Sequence, residues 1–404
     1  MDQGSQAVGP LDGVRVLDIG TMLGLGHAGA MLADFGAEVI KVELPKTGDS
    51  LRQMGPHYKG QSLRWAVVGR NKKSITLDLH TPEGQQAVLE LVAKSDVVLE
   101  NYRPGTIEKW GLGYQRLKEI NPRIILLSLS GYGQTGPDRK KPGFGRVLEA
   151  VSGVMNSTGD PDGPPMQMGN PFVDYITGTF AAMSVSMALW HRDARPGGEG
   201  QWIDVSLYET MVRLIDPLIT QYDKLGTVPK RSGNRYRNVA PSDVYRTKDG
   251  RHVFHSSATQ SVYERLMKAI GREDLIQHPD YCTNAKRTER MNEVNDIVQA
   301  WFSEHDFVDV LRIMDENDVP IGPVNTMVEV MADPQLLGRN SIVPIDDPLL
   351  GTLRMPGLVP KFSKTPGRID HAGPSKGQHT EEILGDLLGY SEDRIRELRE
   401  RGAI

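Results

Sequence analysis

The stretch that decides the fold is Val14-Arg15-Val16-Leu17-Asp18-Ile19, followed by His27–Phe35 (HAGAMLADF) and Ala37–Val42 (AEVIKV). The two β-branched apolar runs read as buried strands, and the Ala- and Met-rich segment between them reads as a short helix. A strand, helix and strand in this order imply a parallel pair joined by a right-handed crossover. Working outward, Ile75–Leu79 reads as a third strand. Thr81-Pro82 then opens a helix running to Lys94, since proline fits the first helical position behind a threonine cap. Val97–Leu99, Ile124–Leu129 and Trp202–Leu207 supply further strands. Strand ends such as Glu100–Gly105 and Ser130–Gly133 carry polar, glycine-rich loops, where open α/β sheets bind ligands. Arg70, Lys72, Lys73, Arg103 and Lys109 lie near these ends as candidate phosphate contacts or as solvated surface charge.

One motif invites a dinucleotide reading. Gly24-Leu25-Gly26-His27-Ala28-Gly29 matches G-x-G-x-x-G, with Glu43 beyond the next strand. Such a fold needs its first glycine in the tight turn that leaves the strand. Here Gly20-Thr21-Met22-Leu23 intervenes, so a nicotinamide or flavin site is disfavoured. His252 and His255 fall on opposite faces of an expected strand and have no third ligand, so no metal site is expected. No nucleophile elbow and no phosphate-binding loop of the Walker type is present.

The most suggestive carboxylate is Asp174, at the mouth of an otherwise apolar helix running to Arg192. The helix dipole and unpaired backbone N–H groups favour an anion at that position, whether it caps the helix or attacks a substrate. Thr177 and Gly178 keep the next turn small and leave room for a reacting group.

Composition bounds the partners. The 404 residues carry 47 basic and 52 acidic side chains, a net charge of -5, which gives no electrostatic case for nucleic acid or an anionic membrane. The single cysteine, Cys282, rules out an internal disulfide framework and suits a reducing compartment. No leader pattern is seen, and the apolar part of the Asp174 helix reads as well short of the ~20 residues of a membrane span. A cytoplasmic protein is expected. Length and composition suggest a large α/β domain over 1–225, a small α+β domain over 226–325 beginning with a hairpin around Lys248-Asp249-Gly250, and a C-terminal segment over 326–404 that returns to the large domain. That segment is expected to hold a strand pair near 342–362 and one amphipathic helix from Thr380 to Arg401.

Seven ordered blocks carry a resemblance further. Pro10–Asp18, Leu32–Glu43, Asn71–Leu79, Glu100–Gly105, Ser130–Pro137, Asp174–Gly178 and Gly198–Gln201, with Gly322–Val324 and Asp333-Pro334 later, resemble the family III CoA-transferases, the CaiB/BaiF-type group of formyl-CoA and carnitine CoA-transferases. The resemblance implies a Rossmann-like open parallel sheet, a smaller α+β domain and two chains interlocked as a homodimer. A heterodimer with a related subunit is the variant it leaves open. It implies that Asp174 attacks an acyl-CoA thioester to give a mixed anhydride and then an aspartyl-CoA thioester. CoA enters as a substrate, and no tightly bound cofactor is implied. The CoA portion is expected across Leu77, Asp78, Leu79, Asn101, Tyr102 and Arg103, with Lys109 on a phosphate. Two departures affect single CoA contacts: Gly24-Leu25-Gly26 replaces the usual Ala-Gly-Pro, and Leu44 stands where a basic residue is common. Arg231–Arg235 replaces the glycine loop of formyl-CoA transferase, which disfavours formyl or oxalyl groups. Arg146 is expected to pair with a second carboxylate, pointing to a dicarboxylic acyl group such as succinyl. The α-methylacyl-CoA racemases share the fold, but the histidine they carry after Ser-Gly-Tyr-Gly is missing from Pro142–Arg146. A non-catalytic CoA-binding subunit is the other alternative.

Overall fold

A computed structural model describes residues 9–404. Six parallel strands form one sheet: β1 (Arg15–Asp18), β2 (Glu38–Glu43), β3 (Lys72–Thr76), β4 (Val97–Glu100), β5 (Ile125–Ser130) and β6 (Trp202–Ser206). Their order is β3-β2-β1-β4-β5-β6. This is the strand order of a doubly wound nucleotide-binding fold, and it reverses direction between β1 and β4.

Strand residues alternate between two cores because successive side chains point to opposite faces. Val16, Val39, Val97, Leu99, Ile125 and Leu127 face helices α1 (Leu23–Asp34) and α5 (Phe172–Asp193), where they meet Leu25, Ala28, Leu32, Ala181, Val185 and Leu189. Leu17, Ile40, Ile75, Val98 and Leu126 face the other way, onto Ala87, Val88 and Leu91 of α3 (Pro82–Val92). As expected, Thr81 caps α3 with its side chain and Pro82 occupies its first turn. Between them in sequence lie the short α2 (Leu63–Val68), then α4 (Gly145–Val151) after β5.

The described chain divides into two compact units. One holds the residues up to Val154 together with Met168–Thr220 and Pro334–Ile404; the other holds Met155–Gln167 and Gln221–Asp333. The second unit is built on a three-stranded antiparallel sheet in which His252–Ser256 lies between Ser242–Arg246 and Ile321–Pro323. Tyr245, Val253, Tyr263, Leu266, Val294, Val298 and Phe302 form its core. Met155–Gln167 joins this unit through Arg231, whose guanidinium donates to the carbonyls of Asp160 (3.1 Å) and Gly163 (2.7 Å). No periodic pattern marks such a link, because it runs through backbone carbonyls.

Several expectations need correction. The helix containing Asp174 spans 22 residues with a mean hydropathy of 1.3, so it is long and apolar enough to cross a membrane. Its Ala- and Gly-rich face is nonetheless packed against α1 within the core. The strand expected at Ile75–Leu79 begins three residues earlier and ends at Thr76, which turns Leu77–Leu79 into the loop beyond it. The helix expected over Thr380–Arg401 is broken. A short turn and a π-helical turn (Ile383–Leu387) end at Gly389, at φ 74°, and a new helix covers Glu392–Glu400. The Gly389 and Tyr390 amides bond back to the carbonyls of Gly385 and Leu384, a left-handed helix stop that glycine adopts without strain. This tail lies along the β3 edge, where the Thr380 hydroxyl accepts from the Thr76 amide (3.0 Å) and the Ala403 carbonyl accepts from the Asp78 amide (2.8 Å).

Candidate active site

The loops leaving β1 and β4 meet at the point where the sheet order reverses. The Asn101 side chain pairs with the Thr21 backbone, accepting from its amide at 2.9 Å and donating to its carbonyl at 2.5 Å. The Tyr102 hydroxyl donates to the Ile19 carbonyl at 2.9 Å. Below them lies a buried charge cluster. Asp18 accepts from Lys41 (3.3 Å) and Lys72 (3.0 Å), and Lys41 also meets Asp49 (3.1 Å) and the Gly20 carbonyl. Burial opposes the charge on Lys41, but Asp18, Asp49 and Glu43 outweigh it and raise its pKa. Asp49 in turn accepts from the amides of Met22 and Leu51. Met22 itself sits at φ 69°, a left-handed conformation uncommon for a non-glycine residue. The loop from Gly20 to Met22 is therefore held from both sides.

The glycine fingerprint acquires a different meaning here. Gly24, Gly26 and Gly29 all lie within α1 rather than in a phosphate-binding turn. A Cβ on Gly26 would stand 2.7 Å from Val68, and one on Gly29 would stand 2.8 Å from the Lys72 ammonium. A Cβ on Gly24 would touch Asp174, 3.7 Å from Oδ1. Close packing of α1 on its neighbours accounts for the pattern.

Asp174 is the third residue of α5; Pro171 holds the cap position, and the Asp174 carboxylate accepts from its own backbone N–H. The carboxylate is half-buried against Gly145, the first residue of α4, where a Cβ would stand 2.4 Å from Oδ2. One turn further along α5, Gly178 lies against the Gly24 carbonyl and the His27 ring. Glycines on two helices, Gly24 of α1 and Gly145 of α4, thus leave room beside one carboxylate, and Gly178 lets α5 pack closely on α1. Burial raises the pKa of Asp174, opposed by its own backbone N–H and by the positive charges of Arg146 and Arg64. Arg146 is half-exposed, and its guanidinium contacts Glu149 (3.3 Å) and the Met168 carbonyl. Glu149 also accepts from the Met168 amide at 2.6 Å. The neighbouring His27 packs edge-on against Tyr175 at 5.0 Å and is held neutral, its pKa lowered to about 4 by burial and by the charges of Arg70 and Lys72.

Other sequence-selected residues fall into two groups. Leu77 and Leu79 are buried in the core, so only their backbone faces the loop region, and Asp78 pairs with His80 at 2.7 Å. Asn101 and Tyr102 spend their polar atoms on the β1 loop. Arg103 and Lys109 are exposed near the same strand ends. Arg70, Lys72 and Lys73 are not free for phosphate: Arg70 forks onto Asp34, Lys72 sits in the buried cluster, and Lys73 bridges Glu38 and Glu382. Two features escaped the sequence reading. Arg64 carries no motif, and Gly145 had meaning only once α4 was seen against Asp174. Among the described residues no cluster of three or more His, Cys, Asp or Glu is arranged to hold a metal.

Comparison with known proteins agrees with this architecture. The profile of CoA-transferase family III matches residues 11–380. The chain is 44% identical to succinyl-CoA–D-citramalate CoA-transferase of Chloroflexus aurantiacus, with 98% of each chain covered. It is 42% identical to the β subunit of succinyl-CoA–L-malate CoA-transferase of the same organism, again with 98% of each covered. The human succinyl-CoA:glutarate CoA-transferase is 35% identical, covering 98% of this chain and 90% of that one. A CaiB/BaiF family protein from Brucella suis superposes with a TM-score of 0.83 at 31% identity, covering 94% of this chain and all (100%) of that one. With its parallel sheet, its matching solved relative and a profile match over nearly its whole length, this chain belongs to CoA-transferase family III.

Proposed function

We propose that the protein moves CoA from succinyl-CoA to a second, dicarboxylic acid, with Asp174 as the nucleophile. The observation that carries this reading is a half-buried carboxylate inside the first turn of α5, not at its cap position, in a space kept open by Gly24 and Gly145 and under the charge of two guanidinium groups. Relatives at 35–44% identity whose names join succinyl-CoA to citramalate, malate or glutarate support the choice of substrates.

An Asp174 oxygen attacks the thioester carbon; the C–S bond breaks, and CoA leaves as a thiolate with a mixed anhydride behind it. The thiolate then attacks the aspartyl carbonyl, forming aspartyl-CoA and releasing succinate. The acceptor carboxylate attacks aspartyl-CoA and expels the thiolate again, which takes the acyl group from the new anhydride and regenerates Asp174. No proton or water enters the balance. Keeping water out of the site is therefore part of the task, since either intermediate hydrolyses. The CoA portion runs over the strand ends, with Arg103 and Lys109 toward phosphates, Tyr102 beside them and the Leu77–Leu79 backbone below. Arg146 orders the Met168 carbonyl and adds positive charge beside Asp174. Chromatography of reactions containing succinyl-CoA and each of a panel of dicarboxylic acids tests the reading. A new acyl-CoA with equimolar succinate is expected; free CoA alone from every mixture contradicts it.

A further inference from the structure

Arg64 has no carboxylate of its own. Its guanidinium makes no hydrogen bond or ion pair with any described residue, and its Nε is buried without a partner. Arg52, Arg70, Arg146 and Arg192 of the same unit each hold an acid: Glu43, Asp34, Glu149 and Asp96. The side chain is otherwise half-buried, so one donor of the fork lacks a protein partner while its other nitrogens remain open to an incoming anion. The location says which anion. Arg64 lies in α2, whose Trp65 and Val68 pack with Leu23 and Tyr175, the residue after Asp174, and its charge is felt by the Asp174 carboxylate. A phosphate of CoA is separated from the thioester by the whole pantetheine arm, so an anion beside Asp174 belongs to the acyl group. Arg146, expected from the sequence to serve there, already contacts Glu149 and the Met168 carbonyl.

We infer that Arg64 is the specificity residue of this site, holding through its planar fork the carboxylate at the end of the acyl group opposite the thioester. The inference rests on the reading of Asp174 as the nucleophile. On this inference a dicarboxylic acyl group is preferred to a monocarboxylic one because only the former supplies an acceptor to the unpartnered guanidinium.

The test compares succinyl-CoA with butyryl-CoA, which has the same carbon count and no distal carboxylate, at one saturating acceptor. For the wild-type enzyme kcat/KM is expected to favour succinyl-CoA by on the order of 10²-fold. In Arg64→Gln that ratio collapses toward one, and Arg64→Lys, which keeps charge but loses the fork, recovers part of it. Circular dichroism establishes that each variant is folded, and where Arg64→Gln fails to fold, Arg64→Lys carries the comparison, with an unchanged ratio in it overturning the inference. Equal kcat/KM for the two donors in the wild type, or an unchanged ratio in a folded Arg64→Gln, overturns the inference. Hydroxylamine trapping in the same mixtures separates the two levels. A hydroxamate on Asp174 from both donors with no preference removes the role of Arg64 alone, whereas turnover without any modified Asp174 removes both readings.

Discussion

At the residue scale the account turns on how little surrounds Asp174. Gly145→Ala would drive a methyl group into the carboxylate, at 2.4 Å from Oδ2 where real contacts do not occur. Displacement of a reacting group by about 1 Å costs on the order of 10²-fold, so kcat is expected to fall by that factor with little change in thermal stability. Burial already raises the Asp174 pKa, and Arg146 and Arg64 hold it down. Because the nucleophile must be ionised, the acidic limb of the kcat/KM–pH profile is expected above the ordinary value of an aspartate. Arg146→Gln removes a favourable charge, so that limb should move to higher pH; a limb that stays put or moves lower would show that Arg146 does not act on this group. Asp174 itself was legible in the sequence as a lone acid at the start of an apolar helix. Its place inside the first turn was not, because a residue or two of drift in a helix start decides between the cap and the first turn.

At the scale of elements, the strands and helices of the parallel sheet were readable from apolar runs and from the Thr81-Pro82 start. The ends were less so. Lys72 and Ser74 belong to β3 although they look like loop residues, because Asp18 and Glu43 satisfy them inside the protein. The same blindness to partners hid the roles of Arg70 and Lys73. Glu100, the last residue of β4, shows how such burial becomes measurable. Its pKa is raised to about 7 by burial, against bonds from Ser128 and the Tyr102 amide. An acid with a raised folded pKa contributes stability fully below its ordinary value of 4.5, and loses that contribution as pH rises through about 7. Over this window the folded state holds one proton more than the unfolded chain, worth about 3 kcal/mol. Urea unfolding of the wild type should therefore show a falling contribution between these limits that Glu100→Gln abolishes. Identical slopes for both proteins would contradict the assignment.

At the scale of the whole molecule, the order β3-β2-β1-β4-β5-β6 places the loops after β1 and β4 together, and that explains why so many sequence-selected residues converge there. What the sequence did not disclose was the insertion of Met155–Gln167 into the second unit, since chain order gives no hint of a segment that leaves one unit and returns. The interlocked homodimer remains a proposal from the family; light scattering of the purified protein should give twice the chain mass of 44.7 kDa, and a stable active monomer would contradict it. The central claim is that one carboxylate carries the acyl group and then CoA. It is tested most directly by incubating the protein with succinyl-CoA and hydroxylamine and mapping the modified peptide by mass spectrometry. The account predicts a hydroxamate on Asp174, absent in Asp174→Asn, which should also lose at least ~10³-fold in turnover. Full transfer activity in Asp174→Asn, or a modification on another residue that tracks turnover, would contradict it.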